Sequence, residues 1–208
     1  MKNILFFVFA FSVSQSFSQD SLIPKIEWEG VLDSTNQYVD LLKVKDNNSL
    51  IVKWSITGDQ EIGSSTNYVV FLNNRKVKKY FIYHLRTETL KPKINRKKIK
   101  KREYEFYWAL LNKCILEKKL HIEESQLNIE RRRSAKEIDK ENGTILEIIE
   151  GGVSHGSDYH FNIFQGKKYI TFHSFAPEYY IEEKFPGFEE RQKLVDLMNE
   201  FQDLIDLY

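Results

Sequence analysis

Three side chains that lie close together on one predicted hairpin are of types that bind metal ions or transfer protons: Asp158, His160 and His173. Two imidazoles and a carboxylate can hold a zinc ion, and the same groups can supply a general base and the acid that orients it. The sequence has no HExxH motif, no His-x-His pair and no third spaced ligand beside them. The plainer interpretation is therefore the solvated side of an amphipathic hairpin.

The hairpin that must position these side chains is predicted from two alternating runs that flank Gln165-Gly166. The runs are 159–164 and 168–175. A two-residue turn at Gln165-Gly166 places Asp158 opposite His173, whereas a four-residue loop places His160 opposite His173. Because side chains alternate along a strand, both registers put the three polar groups on one face and the apolar residues on the other. A three-residue loop would break this separation.

A second candidate is a basic run, in which eight of the twelve residues 91–102 are Lys or Arg. Its candidate anion-binding residues are Arg96, Lys97, Lys98, Lys100, Lys101 and Arg102. Plausible partners are an anionic surface, such as lipid head groups or polysaccharide, and an acidic protein face. The alternative is a solvated helix surface, neutralised by Glu103, Glu105 and the acids of residues 123–147.

The remaining motifs carry little chemistry. The loop 151–157 is rich in glycine, but it lacks both the G-x-S-x-G elbow and the GK[ST] ending of a phosphate-binding loop. Cys114 lies within an apolar helical stripe and is interpreted as a small buried hydrophobic residue. The leading interpretation therefore includes no cofactor.

The first 19 residues predict a secretory signal peptide, since Lys2 precedes the apolar run Ile4–Val13 and small residues stand at the cleavage site. We expect an exported, soluble protein, periplasmic or extracellular, with no integral membrane segment in the mature chain. The whole chain has 31 basic and 30 acidic residues, and this balance argues against nucleic acid as a partner. With one cysteine, no internal disulfide can form.

Hydrophobic periodicity predicts a single α+β domain over residues 20–208, with an antiparallel sheet built from hairpins. The predicted hairpin strands outside 158–175 pair Tyr38–Lys45 with Leu50–Thr57 and Tyr68–Leu72 with Val77–Leu85, and Thr144–Glu150 is a further strand. A long central amphipathic helix is expected over about Arg96–Leu120, capped by Asn95. A C-terminal amphipathic helix is expected over Phe188–Leu207, and residues 121–143 are expected to be partly helical and exposed.

The function expected from the sequence is a non-enzymatic binding or interaction module, because no complete catalytic constellation is found. The alternative is a metal-dependent or His-assisted hydrolase that uses Asp158, His160 and His173. An enzyme should gather these side chains in a concave pocket, whereas a binding module should leave them on an exposed face.

Overall fold

The computed structural model describes residues 26, 28–31, 42–44, 48–58, 63–85, 93–129, 133–138, 145–150, 153 and 156–206. Its strands are β1 (Gly30–Val31), β2 (Leu50–Gly58), β3 (Gly63–Phe71), β4 (Val77–Leu85), β5 (Lys93–Lys97), β6 (Arg133–Ile138), β7 (Ile145–Glu150), β8 (Ser157–Gln165) and β9 (Lys168–Phe175). Its helices are α1 (Tyr104–Leu116), α2 (Glu124–Leu127), α3 (Pro177–Glu182) and α4 (Phe188–Asp206).

Seven strands form one antiparallel sheet in the order β1-β9-β8-β2-β3-β4-β5, and β6 pairs separately with β7. Strands that follow one another in sequence pair as neighbours from β2 to β5 and again at β8–β9. The β2–β8 pairing joins these two groups across about a hundred residues of sequence. The predicted α+β class with an antiparallel sheet is therefore confirmed.

One face of this sheet packs against α1 and α4 and forms the main core. Along β2, β8 and β9 alternate residues point to this side, because side-chain direction alternates along a strand. The ring of Phe201 on α4 lies with its centroid 5.6 Å from Trp54 and 5.5 Å from Phe161. The indole of Trp54 also donates a hydrogen bond to Gln202 Oε1 at 3.1 Å, so the C-terminal helix is fixed over the sheet centre.

The opposite face of the sheet is divided between an apolar and a polar part. The apolar part is a second cluster of buried residues: Leu42, Val44, Ile51, Tyr68, Val70, Tyr80, Ile82 and Phe164. The polar part lies along β8 and β9 on the side of Phe164 that is away from the hairpin turn. It contains the predicted hairpin site. The site therefore lies on the sheet face that the long helices leave uncovered.

The prediction of a long central helix over Arg96–Leu120 is wrong. Residues Lys93–Lys97, including the expected cap Asn95, form strand β5, and a 3₁₀ turn at Lys101–Glu103 precedes α1. Lys and Arg favour helices locally, but the hydrogen-bonding edge of β4 recruits this segment as a strand. Within α1 the buried residues are Tyr107, Trp108, Leu111 and Cys114, whereas Phe106 is 49% exposed.

Two other sequence predictions need correction. Residues 121–143 contain the expected helical part as the short helix α2, and most of residues 121–129 are exposed, but Ile122 and Leu127 are buried and residues 133–138 form the strand β6. The predicted strand Tyr38–Lys45 is described only at residues 42–44, which form a turn. The C-terminal helix and the 159–175 hairpin are confirmed, whereas the predicted signal peptide lies outside the described residues. No described helix is long and apolar enough to span a membrane.

Candidate functional site

The hairpin that carries the candidate ligands turns at Gly166-Lys167, because Gln165 pairs with Lys168. The turn expected at Gln165-Gly166 is thus displaced by one residue along the chain. Gly166 has a φ of 58°, the positive value that two-residue hairpin turns require. The resulting register is that of the four-residue alternative, with His160 directly opposite His173.

This register brings the three candidate metal ligands together. The imidazoles of His160 and His173 stack with their centroids 4.4 Å apart and an interplanar angle of 17°. Nε2 of His173 donates a hydrogen bond to Asp158 Oδ1 at 2.9 Å. One potential ligand atom from each of the three residues lies within 4.8 Å of the others. Two imidazoles and one carboxylate therefore form a compact donor set.

The three side chains are only half exposed, and this environment affects their protonation. The side chain of His173 is 42% exposed and that of Asp158 is 40% exposed. Burial, together with the neighbouring His173, lowers the pKa of His160, while the Asp158 carboxylate acts in the opposite direction. His160 therefore favours the neutral form, which is the form that binds metals.

Strand β9 is held in place by side chains where β1 does not reach. Because β1 pairs with Lys168 and Tyr169, no described strand flanks the following residues of β9 on this edge. Glu29 Oε2 accepts a hydrogen bond from the Thr171 backbone N–H at 3.0 Å. The Asn128 side-chain amide donates to the His173 carbonyl at 3.0 Å. These two bonds fix the backbone on either side of the candidate site.

Further polar groups adjoin the site on the same face. Ser55 on β2 pairs with His160, and Lys53 pairs with Asn162 one row along the sheet. Thr171 Oγ donates to Asn162 Oδ1 at 2.8 Å. Burial lowers the pKa of Lys53. These β2 neighbours were missed from the sequence because nothing local indicates that β2 pairs with β8.

The donor set suits a borderline divalent metal such as zinc, which takes imidazole nitrogen and carboxylate oxygen. Donor atoms about 2.1 Å from a tetrahedral zinc lie about 3.4 Å apart. The His173–Asp158 separation of 2.9 Å is shorter than this, so the two atoms must move apart to admit an ion. The other separations are at most 4.8 Å, and the stacked rings of His160 and His173 must rotate before both lone pairs face the same ion. The residues present therefore fit a three-ligand site with a further coordination position open.

The six candidate anion-binding residues do not lie on one helix face. Arg96 and Lys97 belong to β5, Lys98 and Lys100 to the following connection, and Lys101 and Arg102 to the 3₁₀ turn. Lys91, the first residue of the basic run, lies outside the described residues.

Two of the acids expected to neutralise this run, Glu103 and Glu105, form other contacts. Glu103 is buried, and its carboxylate accepts a hydrogen bond from the Lys100 backbone N–H at 2.9 Å. Glu105 pairs with Arg75. Within the described part of the chain, no carboxylate forms an ion pair with any of the six candidates. The six cations thus have no ion-pair partner among the residues that the structure describes.

The two remaining sequence motifs contribute little to a site. Most of the glycine-rich loop 151–157 lies outside the described residues. Cys114 is buried in the core, as expected, and burial together with the Glu200 carboxylate raises the pKa of its thiol to about 12. Cys114 therefore lacks the accessible thiolate of a nucleophile.

Comparison with known proteins adds no assignment to these sites. No known protein-family model matches the chain, and no curated protein shows significant sequence similarity to it.

Proposed function

We propose that the protein is a binding module for a divalent transition metal ion, with zinc as the representative ion and Asp158, His160 and His173 as its ligands. The observation that carries this proposal is the gathering of three ligand atoms within 4.8 Å on facing strands. Two of these atoms are already 2.9 Å apart. A metal ion would replace the proton between His173 and Asp158 and draw the His160 ring towards them.

A binding role is favoured over a hydrolase by the exposure of the ligands. Hydrolases enclose most of a substrate in a pocket, and closure excludes bulk water from the reacting groups. Asp158 and His173 instead have about two fifths of their side-chain surface exposed, on an open sheet face. Export from the cytoplasm remains part of the proposal, supported by the signal-peptide pattern of residues 1–19.

The proposal is tested by titrating zinc into untagged, chelator-treated protein and measuring the heat of binding. We expect one zinc ion per chain for the wild type. The double variant His160→Ala/His173→Ala should lose this binding, because only one weak carboxylate ligand remains. His121→Ala is the matched control, since it removes an exposed histidine that lies outside the ligand cluster.

A second measurement separates lost binding from lost folding. A metal ion that binds only the folded state stabilises that state by about 2.7 kcal/mol when its free concentration is a hundred times its Kd. Zinc should therefore raise the melting temperature of the wild type and of His121→Ala, but not that of the double variant. Absence of zinc binding by the wild type, or unchanged binding by a folded double variant, would refute the proposal.

A further inference from the structure

A cleft of about 420 Å³ lies where β4 and β5 meet the start of α1. Its lining residues are Val77, Lys78, Arg96, Lys97, Lys98, Ile99 and Tyr104. Four of these seven residues are cations, and they come from an internal strand, the edge strand and the connection that follows it. The fold therefore brings Lys78 to the basic run, from which it is distant in sequence.

The cations that line the cleft are not paired with described carboxylates, although Glu103 and Asp206 act on the neighbouring Lys79. No described carboxylate forms an ion pair with Lys78, Arg96, Lys97 or Lys98. The charge acts on its surroundings, because Lys97 adds to the effect of burial in lowering the pKa of Lys79 to about 8. Arg96 pairs with Tyr80, two residues from Lys78, so the side chains of Lys78 and Arg96 share one sheet face, whereas Lys97 pairs with Lys79 and points to the other face. An anion can bridge two like charges that share a face.

Protection of the sheet edge explains only part of this arrangement. Exposed Lys and Arg on an edge strand discourage pairing with other chains, and β5 is such an edge. Lys78, however, lies on β4, which has partners on both sides. Edge protection also does not require a concave site with apolar walls formed by Val77, Ile99 and Tyr104.

We propose that this cleft binds a phosphate group, with Lys78 and Arg96, which share a sheet face, and Lys98 of the following connection as the cationic ligands. Arg offers paired N–H donors that match phosphate oxygens, and Lys supplies mobile point charges. The apolar walls provide contact for the carbon portion of a phosphate ester. The phosphate is carried either by a small soluble molecule or by a lipid head group, since both present the same oxyanion.

The site is independent of the proposed metal site. The metal ligands lie on β8 and β9 near one end of the sheet order, whereas the phosphate cleft lies at β4 and β5 at the other end. Removing metal with a chelator, or the double variant His160→Ala/His173→Ala, should therefore leave phosphate binding unchanged.

The test compares two triple variants with the same change in charge. The first, Lys78→Gln/Arg96→Gln/Lys98→Gln, removes the three proposed cationic ligands of the cleft. The control, Lys100→Gln/Lys101→Gln/Arg102→Gln, removes three neighbouring cations that do not line it. Inorganic pyrophosphate is titrated by calorimetry at physiological salt, and sedimentation is measured with phosphatidylcholine vesicles with and without phosphatidic acid.

We expect the cleft variant to bind the phosphate probe at least about tenfold more weakly than the control variant, because charged hydrogen bonds are lost. Pyrophosphate binding identifies a soluble phosphate as sufficient, and binding only to phosphatidic acid vesicles identifies a lipid head group. Equal losses in both variants would show diffuse charge attraction and overturn the proposal. Binding to neither probe would also overturn it.

One variant guards against a folding artefact at the sheet edge. If the triple cleft variant aggregates, Lys78→Gln alone leaves the cations of β5 in place and changes only the internal strand. It should still weaken binding of the phosphate probe severalfold relative to Lys101→Gln. Equal affinity of these two folded single variants would contradict the proposal.

Discussion

Replacing Gly187 by alanine should destabilise the protein more than any ordinary surface substitution. Gly187 precedes α4 and has a φ of +81°, a left-handed conformation that side chains disfavour. An added Cβ would lie 2.0 Å from the backbone oxygen of Gln126 and 3.0 Å from its carbonyl carbon. Carbon and oxygen atoms in close contact are normally about 3.3 Å apart. The start of α4 must therefore move away from α2.

The cost has two parts. The left-handed conformation costs an alanine about 1–2 kcal/mol. Separation of the two segments also threatens the hydrogen bond that Arg191 Nη2 donates to the Ile129 carbonyl at 2.9 Å. A hydrogen bond from a charged donor contributes about 1.5–3 kcal/mol. We therefore expect Gly187→Ala to lower the free energy of unfolding by about 2.5–5 kcal/mol.

The assay is urea unfolding, followed by tryptophan fluorescence and by circular dichroism so that two-state behaviour is checked. Gly166→Ala is the control, because Gly166 also has a positive φ but lies in the β8–β9 turn. Its loss should be near the conformational part alone, about 1–2 kcal/mol. If Gly187→Ala costs no more than Gly166→Ala, the argument from the Gln126 contact is refuted.

Two further predictions concern buried titratable groups. Lys79 donates to the Ile205 carbonyl at 2.7 Å, and burial, then Lys97, lowers its pKa to about 8, against smaller opposing effects of Asp206 and Glu103. Between pH 8 and the ordinary lysine pKa, the unfolded state therefore binds more protons than the folded state, so the free energy of unfolding should rise with pH in this window. Urea unfolding of the wild type and of Lys79→Met checks this, and the rise should be smaller in the variant. Burial, then Glu200, raises the pKa of Cys114 to about 12, so a disulfide reagent at pH 8 should react at least about a hundredfold faster with the urea-unfolded chain than with the native one. Comparable native and unfolded rates would contradict this description of Cys114.

The hairpin and the C-terminal helix were predictable because their patterns are local. In the middle of β8 and β9, from Tyr159 to Ile163 and from Ile170 to His173, buried aromatic and aliphatic residues alternate with half-buried polar ones. In α4, Leu194, Leu197, Met198 and Phe201 recur at helical spacing and are all buried. Placing His160 on the same face as His173 followed from the same alternation, whereas the register depended on a turn that sequence alone left open.

Strand β5 and the phosphate cleft could not be predicted in the same way. The sequence of β5 has a single aliphatic residue, Ile94, and its strand conformation depends on hydrogen bonds to β4. The participation of Lys78 depends on the same pairing. Likewise, Ser55 meets His160 only because β2 and β8 are neighbours across a long stretch of chain. Such non-local contacts leave no periodic signal in the sequence.

The completion of the β9 edge by side chains has a consequence for how the candidate metal site forms. All three ligands belong to a single hairpin, yet the backbone around His173 is held by Glu29 from early in the chain and Asn128 from its middle. An isolated 157–175 peptide lacks both of these bonds and should not hold its ligands in register, since lone hairpins are marginal in water. Metal affinity would then report that distant parts of the chain have assembled, and appear only at the end of folding.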